Sequence, residues 1–84
     1  MKMDQVGENT LAELAIWTAV NVERAPGPAE KRLVLMRGFA EAHRVHEAIP
    51  EDPNLALLDT LLQQPEKLVQ NLKDFWCGHS NSIE

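Results

Sequence analysis

Residues 10–28 read TLAELAIWTAVNVERAPGP, and the way this stretch begins and ends decides the fold. Thr10 and Glu13 have the T-x-x-E spacing of a capping box, in which the hydroxyl accepts from the backbone N–H of Glu13 and the glutamate reaches back to the cap. The spacing predicts a helix that starts at Leu11 and runs to about Arg24. Ala25-Pro26-Gly27-Pro28 cannot continue it, because proline has no N–H to donate and clashes with the preceding turn. The same residues open the next helix. Gly27 fits an N-cap and Pro28 the first helical position, where a missing N–H costs nothing. Helix, tight link and helix are therefore written into one segment.

Outward from this segment the grammar repeats. The second helix is expected over residues 28–48, ahead of Ile49-Pro50, with Gly38 as a weak point of about 1 kcal/mol relative to alanine. At 100° per residue Leu35, Phe39, Ala42 and His46 fall in the middle of one face, and Arg37, Glu41 and Arg44 on the opposite one. Asp52-Pro53 has the form of another cap followed by proline, and predicts a third helix over 53–64 with Leu55, Leu58, Leu61 and Leu62 facing inward. Pro65 opens a fourth over 65–77. Leu68, Val69, Leu72, Phe75 and Trp76 form its apolar stripe, and Gly78 is its expected C-cap. Residues 1–9 and 79–84 are expected to be flexible ends.

No stretch alternates with period two, so the chain reads as all-α: one domain, a small four-helix and mainly antiparallel bundle joined by short links. The first helix carries Leu11, Leu14, Ala15, Ile16, Trp17, Ala19, Val20 and Val22, and so has almost no polar face. A helix apolar nearly all round is buried centrally or against another chain. The third and fourth helices, at about 18 Å, are shorter than the second at about 30 Å, and this leaves parts of the first two uncovered. Dimerisation that completes the core is the expected remedy.

The chain has 84 residues, net charge -5 and one cysteine, Cys77. A single cysteine forms no disulfide within the chain, which fits a reducing, cytoplasmic setting. The most apolar stretch is interrupted by Glu13 and too short to span a bilayer, and the polar N-terminus does not have the form of a signal peptide. An acidic chain is a poor general binder of nucleic acid. The charge is uneven, however. From Arg24 to Arg44 five basic residues meet only Glu30 and Glu41, whereas from Glu47 onward seven acids meet only Lys67 and Lys73. Self-neutralisation of the two halves is the simple expectation, and an acidic ligand for the basic segment the alternative.

Candidate chemistry is thin. His43 and His46 lie in the last turn of the second helix, and in an up-and-down bundle that end also carries Cys77 and His79. Four such N and S ligands suit structural zinc, but the spacing matches no C-x-x-C or H-E-x-x-H signature. His43 and His46 are better explained as a rim and a half-buried core residue, and no cofactor is expected. Cys77 lies at a helix C-terminus, where the dipole disfavours a thiolate. The glycines are scattered, so no phosphate loop exists, and no enzymatic activity is expected. A helix-turn-helix nucleic-acid binder or a zinc-stabilised domain are the alternatives to the leading expectation. That expectation is a small regulatory or adaptor protein, such as an inhibitor, antitoxin-like factor, chaperone or assembly subunit. It would act as a homodimer or on another protein through Trp17, Val20, Phe75 and Trp76, since exposed aromatics anchor interfaces.

Overall fold

A computed structural model of the chain describes the backbone of residues 8–81 and the side chains of residues 10–77. Four α-helices and no strand occur among the described residues: α1 Glu8–Arg24, α2 Pro28–Val45, α3 Leu55–Leu62 and α4 Leu68–Asn81, with a 3₁₀ turn at Pro65–Lys67 before α4.

Side-chain contacts fix the direction of each helix. Lys31, near the start of α2, donates from Nζ to the carbonyls of Val22 and Ala25 at 2.9 Å each, at the end of α1. Halfway along both helices Gly38 faces Thr18. α1 and α2 are therefore an antiparallel pair. Arg32 of α2 meets Asp59 of α3 through an Nε–Oδ1 contact of 3.1 Å, and Leu62 at the end of α3 shares a cleft with Leu68 and Val69 at the start of α4 and with Val22 at the end of α1. The helices thus run up, down, up and down, with α1 packed on both α2 and α4. This is the four-helix antiparallel bundle expected from the short links.

Apolar side chains from every helix close the core. Leu11, Ala15 and Val22 of α1, Leu35, Phe39 and Ala42 of α2, Leu58 and Leu61 of α3, and Leu68, Leu72 and Trp76 of α4 are all buried. Phe39 joins α2 to α4 across the bundle. Its ring stands edge-on to Trp76, with centroids 5.3 Å apart and planes at 86°, and tilted to Phe75 at 5.6 Å. Edge-to-face pairs of this kind add to the gain from burial because the ring edge is positive and the face negative.

Several element ends differ from the sequence expectation, each for a local reason. α1 begins at Glu8, so Thr10 lies inside the helix and not at its cap. α2 stops at Val45 and not at Ala48, because His46 is extended (φ -142°, ψ 106°). The early stop lets the chain turn back and bury Ile49 completely, and Ile49 itself precedes a proline, which disfavours helical backbone there. The cap of α3 is Asn54 and not Asp52: its side chain accepts from the Leu57 N–H at 2.9 Å, while Pro53 lies one residue before the cap and is buried. α3 is correspondingly short, at eight residues. Gly78 does not end α4, which runs on to Asn81. Glycine in a helix interior costs about 1 kcal/mol and is tolerated when the next turn still forms. Of the ends expected to be flexible, residues 8, 9 and 79–81 are helical, and 1–7 and 82–84 lie outside the described residues.

Candidate interaction surface

α1 is buried on one side and carries an apolar patch on the other. Leu11, Ala15, Thr18 and Val22 face the core, whereas Ile16, Trp17 and Val20 remain 47%, 45% and 42% exposed. At 100° per residue these three lie opposite the buried stripe. The other large exposed apolar side chains, Leu33 and Leu55, stand singly on α2 and α3. Exposed apolar residues scattered singly are ordinary, but adjacent ones on a single helix face form a patch.

The patch continues into a cleft of about 610 Å³ where the end of α1 meets the start of α4. Ala19, Val20 and Val22 form one wall, Leu68 and Val69 the other, and Leu62 and Pro65 close the end. Its charged margin is mostly acidic, with Glu23 and Glu66 on opposite walls. Lys31 also borders the cleft, but its ammonium is engaged by the carbonyls of Val22 and Ala25 at the C-terminal end of α1.

Of the residues singled out in the sequence, Trp17 and Val20 are at the surface and together, and Phe75 is half-buried. Trp76, expected among the interface residues, is not at the surface. It is fully buried, because Phe39 of α2 reaches across the bundle and α1 packs over α4. Its indole Nε1 has no hydrogen-bond partner among the described residues, and neither has the buried hydroxyl of Thr18. Ile16 and the α4 wall of the cleft are not among the interface residues expected from the sequence. The angular position of Ile16 beside Trp17 and Val20 was available as a signal, but the pairing of Leu68 and Val69 with α1 is a tertiary fact.

The candidate metal ligands are not assembled by the described side chains. No group of three His, Cys, Asp or Glu side chains that could hold a metal occurs among them, and the side chain of His79 lies outside the description. His43 has a structural contact instead: its Nδ1–H donates to the carbonyl of Ile49 at 2.7 Å, tying the end of α2 to the buried turn that follows. His46 is half-buried, and Cys77 is half-buried against the core. The basic segment is partly neutralised from within. Arg32 is paired with Asp59, Arg44 approaches Glu41 at 3.7 Å, and Lys31 caps α1. α3 carries no Lys or Arg, and the link before it spans residues 46–54, so α2 and α3 do not form a tight helix-turn-helix. No described helix is long and apolar enough to cross a membrane.

No family model, curated protein or solved structure matches this chain.

Proposed function

We propose that this protein is a small cytoplasmic regulatory or adaptor protein that acts by docking onto another protein, without catalysis. One observation carries the reading: the apolar surface of α1 is not used up by the core, and it leads from Ile16, Trp17 and Val20 directly into the α1/α4 cleft. Burial of apolar surface contributes roughly 25 cal/mol per Å², so a contiguous patch beside an apolar cleft is a ready source of association energy. Glu23 and Glu66 on opposite walls, in a chain of net charge -5, define the complementary ligand. It is a protein segment with apolar anchors flanked by Lys or Arg, since charge complementarity selects partners and raises the association rate.

The test is a photo-crosslinking amino acid at Glu66, an exposed position on the cleft wall, with the same group at exposed Leu55 as control. In the native cell a discrete adduct larger than two chains is expected from position 66 and not from position 55. It should disappear when Val69→Glu is added to a chain that keeps its helical circular dichroism. Equal crosslinking from both positions, or none from either, would reject the cleft as a docking site.

A further inference from the structure

Four residues on the outer face of α1 have an order that is complementary to itself. Glu13, Trp17, Val20 and Arg24 follow at intervals of four, three and four residues, so they lie within about 60° of one another on the helix. All four are exposed, and the stripe is opposite the buried one, with Ile16 at its edge. It reads acid, aromatic, aliphatic, base. Glu13 lies as far before Trp17 as Arg24 lies after Val20. Neither charge forms an ion pair with another described residue.

From this we infer that the outward stripe of α1 is the interface between two copies of this chain. The two α1 helices cross antiparallel, so that Trp17 of each packs on Val20 of the other and Glu13 of each faces Arg24 of the other. The inference rests on the reading of α1 as an interaction surface and names its occupant. A two-fold contact between antiparallel helices requires a patch that is complementary to its own reversal, and the order of these residues meets that requirement. A parallel crossing would set Glu13 against Glu13 and Arg24 against Arg24. The apolar centre supplies the attraction, and the two symmetry-related ion pairs set direction and register more than strength.

The test is a charge exchange on the full chain, read as solution mass by sedimentation equilibrium over a wide range of protein concentration. The wild-type chain is expected to approach twice the monomer mass at high concentration. Glu13→Arg and Arg24→Glu are each expected to weaken self-association about tenfold or more, because each places two like-charge contacts in the dimer. Mixing the two variants in equal amounts is expected to restore the dimer. One variant then carries a base at both ends of its stripe and the other an acid at both ends, so both contacts of the mixed pair join opposite charges. Both positions are exposed, so unchanged helical circular dichroism is the check that folding is intact. A wild-type chain that stays monomeric overturns the inference, as does a dimer indifferent to both substitutions or a mixture that fails to recover. A monomer that still gives the adduct at Glu66 overturns the dimer and leaves the docking function standing.

Discussion

Gly38 shows how much one residue can depend on what faces it. In the sequence it reads as a weak point in a long helix, since glycine costs about 1 kcal/mol relative to alanine there. In the fold it is buried, and a Cβ added to it would lie 2.7 Å from Thr18 Cγ2 and closer still to the hydroxyl. The glycine therefore permits α1 and α2 to approach closely, and the Thr18 side chain occupies the space that results. Gly38→Ala is expected to destabilise the protein by about 1–3 kcal/mol, the range for overpacking a filled core, in spite of the better helix propensity. In a Thr18→Ala background the same change should cost much less, because the obstructing Cγ2 and Oγ1 are gone. A double-mutant cycle in urea, followed by circular dichroism, measures the difference, and additivity would show that the two residues do not oppose each other. The need for a small residue at position 38 was not legible in the sequence. It depends on the register between α1 and α2, which local spacing does not encode.

Proline opens an element in this chain at Pro28 and Pro65 but not at Pro53, which lies before the Asn54 cap. Pro28 starts the second helix at the expected residue, because proline's fixed φ and missing N–H act locally, whereas at Pro65, the expected start of the fourth helix, a 3₁₀ turn opens and α4 follows only from Leu68. The ends of α2 and α4 differ from expectation, that of α2 because tertiary packing decides it. Burial of Ile49 and the His43–Ile49 hydrogen bond draw the chain away from the axis of α2 at His46, and α4 continues through Gly78. α3 is the element most dependent on its cap. With eight residues it is shorter than helices that persist alone, and Asn54 satisfies one of its exposed N–H groups. Asn54→Ala is expected to cost about 1 kcal/mol, with amide exchange accelerating first at Leu57 and Leu58. Asp52→Ala should have little effect, which separates the observed cap from the one suggested by the Asp52-Pro53 spacing.

For the whole molecule the two tryptophans divide the labour between stability and recognition. The sequence placed both on apolar faces, and the up-and-down order of helices was legible from link lengths. Which tryptophan the bundle would cover was not, since that depends on Phe39 reaching across from α2. A domain of this size has a total stability of roughly 4–12 kcal/mol at typical values per residue. Trp76→Ala removes the largest buried side chain and its edge contact with Phe39, and is expected to cost about 3–5 kcal/mol. That is enough to unfold much of the population near the lower end of the range. Trp17→Ala removes a side chain that remains 45% exposed in the single chain, and in dilute protein should change stability by about 0.5 kcal/mol or less. Acrylamide quenching gives the same division in the intact protein: one emission component should be readily quenched and absent from Trp17→Phe, and the other should stay shielded until the fold is lost. As concentration rises and two α1 stripes meet, the accessible component should become shielded as well. In the separate Glu13→Arg and Arg24→Glu variants it should remain accessible at the same concentration, which ties the shielding of Trp17 to the antiparallel contact and not to crowding of the sample.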